Sequence, residues 1–256
     1  MTYLTLTADD LEHHHLCCAL GDKKHVAGVE AKKAWLRQRM AEGLVFRKLD
    51  VRGKVFIEYM PGESAWRPIV APDWLVIHCL WVSGRFQKQG HGRALLQSCL
   101  EDAAAQGRRG VVVATATRKR PFLGDPRFFR ARGFVEVDRA GTFVLLASTT
   151  DGSLPSPSPR FTDAVHAGQR PADQGSFVAR YDAQCPFNLH WARQVTEDLR
   201  EAGHEAVGEQ LTRRDQVLSV ASPLGTYGLE RAGALACHHL TTRAATHRML
   251  EQLAGP

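Results

Sequence analysis

The stretch Gln87-Lys88-Gln89-Gly90-His91-Gly92 decides the fold of the first half of this chain. The apolar segment Trp74–Val82 comes before it and predicts a strand, while Arg93–Ala103 comes after it and predicts a helix. A glycine-rich turn between a strand and a helix leaves backbone N–H groups unpaired at the helix N-terminus, where the helix dipole also favours an anion. Because Gly90 and Gly92 permit close backbone approach, the stretch predicts a phosphate-binding loop.

The frame around this loop resembles the acyl-CoA-binding motif of the GCN5-related N-acetyltransferases, the GNAT superfamily. In that family a Gln or Arg is followed by two residues, a Gly, one residue, and a Gly or Ala at the start of the central helix. Gln87, Gly90 and Gly92 fill this pattern. A P-loop would need a following Gly-Lys-Ser/Thr, and a Rossmann loop would need Gly-x-Gly-x-x-Gly, so both fit less well.

The resemblance implies that the acyl donor is acetyl-CoA and that its pantetheine arm pairs with the central strand. The strand residues implied are Leu80, Trp81 and Val82. The residues implied for the pyrophosphate are Gln87, Lys88, Gln89, Gly90, His91, Gly92, Arg93 and Ala94. The function that follows is an acyl-CoA-dependent N-acyltransferase, most simply one that acetylates the amine of a small molecule.

Composition sets the outer limits of the interpretation. A chain of 256 residues holds one large domain or two modest ones, and 44% apolar residues is ordinary for a folded soluble protein. No apolar run approaches the roughly 20 residues that span a bilayer, and no signal peptide is visible at the start. Six cysteines in a chain of this length do not indicate a disulfide scaffold. We therefore expect a cytoplasmic protein with free thiols and no membrane partner.

Positive charge is concentrated in residues 1–150, which carry 23 Lys and Arg against 15 Asp and Glu, whereas the remainder carries 10 against 12. The densest basic positions are Arg108, Arg109, Arg118, Lys119, Arg120, Arg127, Arg130 and Arg132. Such a balance suits a polyanionic ligand, which CoA satisfies in part. RNA is the alternative polyanionic ligand. A second interpretation is therefore a transferase of the same fold that takes its acyl group from aminoacyl-tRNA.

The order of predicted elements divides the chain into three segments. Residues 1–150 are predicted to be an α/β domain with the GNAT fold, a mixed and mostly antiparallel sheet with a central helix. Within it Leu11–Met40 is predicted to be mostly helical, with a break near Gly21-Asp22 and a C-cap at Gly43. Residues 151–175 read as a Pro/Ser-rich linker. Residues 176–256 are predicted to form a small α/β domain.

This last segment resembles a thioredoxin-like module. A strand, Cys185 before a helix, a second strand and Pro223 before a hairpin follow one another in that order. The whole chain thereby resembles the YoaP-type acetyltransferases. A helix N-terminus lowers the pKa of a nearby thiol, but Asn188 stands where a second cysteine would be needed for an intramolecular disulfide. A third interpretation is therefore a thiol-redox or thiol-binding protein with an inactive GNAT domain.

Two titratable residues within apolar strand segments are candidates for the general base. Glu58 and His78 each interrupt an apolar run, and burial shifts the pKa of such a group toward its neutral form. Tyr59 is a weaker candidate for substrate binding. By resemblance, Phe129 stands where many relatives have a tyrosine that protonates the thiolate, so the usual acid is absent.

The cysteine pair Cys17-Cys18 follows three histidines in the region that lines the acceptor side of this fold. Adjacent helical residues project about 100° apart, so both thiols cannot face one site from a regular helix. With no Cys-x-x-Cys to supply further ligands, we predict no metal site. Cys17, Cys18 and Cys185 remain candidates for substrate contact.

Overall fold

The computed structural model describes residues 2–16, 19, 21–153, 157–169, 175–239 and 242–254, with side chains as far as residue 251. The chain divides into two compact units. The first draws on residues 1–20, 33–65 and 69–161, and the second on residues 21–32, 66–68 and 162–256. Among the residues so described, no helix has the length and apolar character needed to cross a bilayer.

The first unit is built on nine strands and three helices. The strands are β1 (Tyr3–Leu6), β2 (Val45–Leu49), β3 (Val55–Pro61), β4 (Ile69–Val70), β5 (Trp74–Val82), β6 (Gly110–Ala116), β7 (Val135–Ala140), β8 (Phe143–Thr149) and β9 (Arg160–Phe161). The helices are α1 (Val26–Ala41), whose first residues belong to the second unit, α2 (His91–Ala105) and α3 (Pro126–Arg130).

Seven of these strands form one sheet in the order β1-β2-β3-β5-β6-β8-β7, while β4 pairs with β9 separately. All neighbours in the large sheet are antiparallel except β5 and β6, which run parallel. The predicted mixed, mostly antiparallel sheet with a helix after its central strand is therefore confirmed.

Helix α2 covers the sheet because its apolar residues recur on one face. Leu95, Cys99 and Ala103 are spaced four residues apart and are fully buried with Leu96. They join a core that includes Ile57 of β3 and residues from the neighbouring strands. This packing fixes the start of α2 at the end of β5.

The region before α1 differs from the prediction. Leu11–Met40 is predicted to be mostly helical, and α1 confirms this for its second part. Among the described residues before α1, the regular structure after β1 consists of short 3-10 turns at Asp9–Glu12 and Lys23–His25. Asp22 accepts a hydrogen bond from the Lys24 N–H, which satisfies a backbone donor outside an α-helix. The predicted C-cap is confirmed: Gly43 has φ +94°, and Leu44 N–H bonds to Arg39 O in a Schellman arrangement.

The second unit contains a four-stranded sheet in the order β11-β10-β12-β13. Its elements are α4 (Asp163–Ala167), β10 (Phe177–Tyr181), α5 (Asn188–Glu201), β11 (Ala206–Gln210), α6 (Arg214–Leu218), β12 (Tyr227–Arg231), β13 (Ala234–Cys237) and α7 (Arg243–Ala254). Strands β10 and β11 are parallel and joined by α5, whereas β12 is antiparallel to β10 and to β13. Val195 and Leu199 of α5 pack on Phe177 and Leu229.

Part of the predicted linker is ordered as regular structure. Strand β9 and helix α4 both fall within 151–175, and Phe161 and Val165 are fully buried. The sequence did not indicate these elements, because two apolar side chains spaced among polar residues do not produce a visible periodicity. The linker and the domain boundaries on either side of it stay predictions. Residues 154–156 and 170–174 lie outside the described residues.

Replacing Phe129 by Ala should destabilise the first unit. Phe129 is 1% exposed in α3, and its ring packs edge-on against Phe134 at 5.5 Å between centroids. Deleting a buried ring of this size costs about 3–5 kcal/mol, which urea unfolding would measure. Val135→Ala, at a position that is 46% exposed, is the control and should change little. Equal stability of the two variants would contradict the packing assigned to Phe129.

Candidate functional site

The two parallel strands of the large sheet pair only along their first halves. Trp74–Ile77 of β5 pairs with Gly110–Val113 of β6. Beyond that point β5 continues against β3, and Ala114–Ala116 continues against β8. Within this fully described region, Leu80–Val82 thus has no ladder partner on the β6 side, and Val82 O accepts from the side-chain amide of Gln87 at 3.3 Å. An unpaired strand edge offers backbone N–H and C=O groups to an extended ligand.

A β-bulge marks the residue where the two strands part. Glu58 of β3 is paired with Cys79 and Tyr59 with Ile77, so His78 is the extra residue between them. A bulge bends its strand and increases the local twist. Burial changes at the same place, since Trp74–His78 is buried whereas Cys79–Val82 is only half-buried. The bulge therefore accounts for the exposed edge.

The loop after β5 presents the start of α2 without a side-chain cap. Gly90 is the N-cap residue of α2, with φ +85°, and contributes no capping hydrogen bond because it has no side chain. Lys88 also has a positive φ of 61°, which costs free energy for a residue other than glycine. The first N–H groups of α2 are therefore directed outward with the positive end of the helix dipole.

A cavity of about 280 Å³ adjoins this helix start. Its loop lining comprises Gln87, Lys88, Gly90, His91, Gly92 and Arg93. Val82, Phe86, Phe128 and Arg132 complete it, and the last three were not assigned to the site from the sequence. Of the other loop residues predicted, Gln89 donates its side-chain amide to Arg85 O, and Ala94 N–H bonds to Gly90 O within the helix.

The side chain of His91 anchors the loop to the edge of the sheet. His91 is 5% exposed, and its Nδ1 lies 2.8 Å from the hydroxyl oxygen of Tyr3 in β1. Its ring also meets Phe86 edge-on. Tyr3 was missed in the sequence because the two residues are 88 positions apart and no local pattern connects them.

The two candidate bases are both buried. Glu58 is fully buried in β3, and His78 is 8% exposed at the bulge, with its ring 6.2 Å from the indole of Trp35. Their positions beside the start of the open edge are compatible with a base near the acyl group. Their catalytic roles stay predictions.

Tyr59 lies in a separate polar network. Its fully buried hydroxyl donates to Asp102, whose carboxylate also pairs with Arg47 at 3.1 Å. Burial and the bond to Asp102 raise the pKa of Tyr59. This hydroxyl is engaged with Asp102, and the predicted role of Tyr59 in substrate binding stays a prediction.

The histidine and cysteine segment near the N-terminus is only partly described. Cys17 and Cys18 lie outside the described residues, so their predicted role has no structural account. Nε2 of His15 lies 2.7 Å from Gly53 O, and burial lowers the pKa of this histidine. Among the described residues, no group of three His, Cys, Asp or Glu side chains is placed to hold a metal ion.

In the second unit, Cys185 belongs to a turn that a buried carboxyl organises. Asp182 is fully buried, and its Oδ1 accepts from Gln184 N–H at 3.0 Å and from the Thr226 hydroxyl at 2.7 Å. Asn188 donates its backbone N–H to Cys185 O and its side-chain amide to Thr226 O. The residue at the position of a second cysteine therefore holds the turn together.

The start of α1, which belongs to the same unit, packs on this turn. A Cβ atom at Gly28 would lie 1.9 Å from the carbonyl oxygen of Pro186, so only glycine fits there. Lys32 donates to Gln184 O at 2.8 Å, and the ring of His25 meets Phe187 at 4.6 Å between centroids. None of these contacts was anticipated from the sequence.

The comparisons with known proteins agree with this geometry. Residues 5–134 match the model of the acetyltransferase (GNAT) family. The chain belongs to this family and is therefore an acyltransferase. Over 254 residues it is 35% identical to the uncharacterized N-acetyltransferase YoaP of Bacillus subtilis (strain 168), covering 99% of this chain and 100% of that protein.

Two solved structures of low sequence identity also resemble it. The PaiA N-acetyltransferase of Thermoplasma acidophilum in complex with coenzyme A is 13% identical, with a TM-score of 0.40, 58% of this chain covered and 99% of that one. A GNAT family acetyltransferase of Brucella melitensis in complex with acetyl-CoA is 17% identical, with a TM-score of 0.39, 63% of this chain covered and 96% of that one.

Asp182 should make stability depend on pH. Burial raises its pKa to about 6, against the opposing effect of Arg67. Since an unfolded aspartate titrates near pH 3.9, the folded protein binds the additional proton between about pH 4 and 6. Protonated Asp182 therefore stabilises the folded wild type at low pH, and this stabilisation is lost as pH rises through the window. The difference in unfolding free energy, wild type minus Asp182→Asn, should fall by an amount on the order of 3 kcal/mol.

Urea unfolding at intervals from pH 4 to 7 measures this difference. Asp215→Asn is the matched control, because Asp215 is exposed and its pKa is lowered by Arg213. The control should show no such fall. A constant difference between the wild type and Asp182→Asn across the window would show that Asp182 is not protonated in the folded state.

Cys185 should be alkylated faster than Cys79 or Cys99. It precedes the N-terminus of α5, where no side chain caps the helix, and it is partly exposed. Cys99 is fully buried, and burial raises the pKa of its thiol. Brief iodoacetamide treatment near neutral pH followed by peptide mapping gives the order of labelling, with a urea-unfolded sample as control. Earlier labelling of Cys79 or Cys99 would contradict the environment assigned to Cys185.

Proposed function

We propose that this chain transfers an acetyl group from acetyl-CoA to the amine of a small molecule. One observation carries the proposal: along a single segment of the chain, an open strand edge on β5 is followed by an uncapped helix start on α2. The edge of β5 that β6 does not cover ends at Val82, and the uncapped start of α2 at His91 follows seven residues after Gly84, where the intervening turn begins. An extended amide-containing arm fits the first feature, and a pyrophosphate fits the second.

The chain's residues can hold the donor in that orientation. Leu80, Trp81 and Val82 supply strand N–H and C=O groups for the amides of the pantetheine arm. The N–H groups of His91, Gly92 and Arg93 face the pyrophosphate at the helix start. Phe86 and Phe128 line the same cavity and shield these polar contacts from water.

Acyl transfer to an amine requires removal of a proton from the nucleophile and stabilisation of the oxyanion. Glu58 and His78 are the candidates for proton acceptor, because both are buried beside the point where β5 separates from β6. Phe129 is buried in the core, and Phe128 is the aromatic residue that lines the cavity. Neither can donate a proton to the departing thiolate, so protonation from water is the simplest course for this step.

An aminoacyl-tRNA donor is less well supported than CoA. Four of the eight residues in the predicted basic cluster are paired with carboxylates, and Arg109 is one of them, with Asp73. Arg108 pairs with Glu63, Arg127 with Asp125, and Arg130 with Glu136. Neutralised cations contribute little to the counterion release that drives binding of nucleic acids.

We also propose that the second unit is a thioredoxin-like module that works through one thiol. Its sheet order and single parallel pair support this, since the first two strands are joined by α5 and the hairpin follows on the other side. Asn188 prevents a disulfide within the turn, so we favour acyl transfer over redox chemistry as the main activity. The described cysteines are free thiols, which fits the reducing cytoplasm that we expect.

Gly92→Glu should weaken acetyl-CoA binding by more than about tenfold, because it places bulk and negative charge at the pyrophosphate position. A Cβ atom at Gly92 would lie 3.3 Å from the ring of Phe128, so the new side chain must enter the cavity. Ala104→Glu introduces the same residue at an exposed position near the other end of α2 and is the matched control.

Isothermal titration with acetyl-CoA measures both variants, and circular dichroism checks their fold. Release of free CoA in the presence of a panel of small amines then identifies acceptors. Unchanged affinity in folded Gly92→Glu, or no heat of binding with the wild type, would refute the proposed donor site.

A further inference from the structure

A second cavity, of about 410 Å³, lies beside α2 and the residues that follow α3. It shares Arg93 and Arg132 with the loop cavity, so the two cavities adjoin at these residues. Leu96 and Leu100 contribute apolar surface, and Gln97 a polar group. Its volume falls within the range of about 300–1,000 Å³ that is typical of ligand pockets.

Arg132 is held rigidly at the boundary between the cavities. Its guanidinium carbon lies 3.9 Å from the ring centroid of Phe128, and Nη1 donates to the carbonyl oxygen of the same residue. Its Nε atom is buried and has no hydrogen-bond partner among the described residues. The only hydrogen bond described for this guanidinium is the one from Nη1, so its outer N–H groups keep the capacity to donate to an anion in the cavity.

Neither arginine of this pair is neutralised. In the part of the chain that the structure describes, no carboxylate lies within 4.0 Å of Arg93 or Arg132. This distinguishes them from Arg127 and Arg130, which flank the same region and are paired with Asp125 and Glu136. Arg93 also stands in the first turn of α2, where the helix dipole adds to its charge.

We propose that Arg93 and Arg132 bind the 3′-phosphate of CoA, so that the protein discriminates CoA from 3′-dephospho-CoA. The inference rests on the proposed acetyl-CoA site, because the loop amides must take the pyrophosphate for the ribose phosphate to reach these side chains. A phosphate monoester carries about −1.5 to −2 charge at neutral pH, and guanidinium groups bind it through charge-assisted, bidentate hydrogen bonds. Leu96 and Leu100 offer apolar surface to the adjoining adenosine.

Calorimetric titration of the full-length chain with CoA and with 3′-dephospho-CoA, at one ionic strength, tests the proposal. The wild type should bind CoA about tenfold more tightly than the dephospho form. Arg93→Gln and Arg132→Gln should each reduce that preference severalfold, because each should weaken the binding of CoA more than that of 3′-dephospho-CoA. Arg132→Lys should restore part of the preference, because it keeps the charge without the planar fork.

Arg127→Gln is the matched control, since Arg127 lies in α3 and its charge is already paired with Asp125. It should retain the full preference for CoA. Arg93 is exposed, so Arg93→Gln reports on binding even if Arg132→Gln proves unstable.

Equal affinities of the wild type for the two ligands would overturn the proposal, as would variants that weaken both ligands to the same extent. If the wild type bound neither ligand, the acetyl-CoA site itself would fail, which is a distinct result. Adenosine 3′,5′-bisphosphate competing with CoA in the wild type but not in Arg93→Gln would locate the recognition at the ribose phosphate.

Discussion

The site depends on the point at which hydrogen bonding between β5 and β6 stops. These are the only parallel neighbours recorded in the large sheet of the described chain, and their ladder ends at Ile77 and Val113. The extra residue His78 bends β5 away at that position. Without this separation, the edge from Leu80 to Val82 would pair with β6, and the loop that follows would have no open strand leading into it. Core packing of α2 then fixes where the exposed helix start lies.

In the second unit, buried polar groups organise the turn that carries Cys185. Asp182, Asn188 and Thr226 form one hydrogen-bonded group beneath the Cys185 turn. The cation of Lys32 lies in the surroundings of Asp182, and its Nζ donates a hydrogen bond to Gln184 O. Such networks specify one arrangement of a loop because each member is costly to leave unpaired. The turn that carries the thiol is therefore positioned by residues from three separate stretches of sequence.

The sequence was sufficient where the signals are local. The strand Trp74–Val82, the glycine loop and the Gly43 cap of α1 each have a short pattern with a physical cause, and the structure contains all three. Contacts between distant residues left no such pattern, as with Tyr3 and His91. The β-bulge was also invisible, because an inserted residue changes the register of a strand without changing its composition. Arg132 was counted as one of many basic residues, and its packing on Phe128 and its lack of a carboxylate partner separate it from Arg127 and Arg130.

The backbone conformation at Lys88 has a consequence for the rate of ligand binding. Its backbone already has a left-handed conformation, with Gly90 in the same region of φ two residues on. The conformational entropy of ordering this loop is thus lost when the chain folds, so it need not be lost again when a ligand arrives. Association should accordingly follow a single step at a rate set by diffusion and charge, with no slower phase for loop rearrangement. Differences in affinity among ligands would then appear mainly in how long each one stays bound.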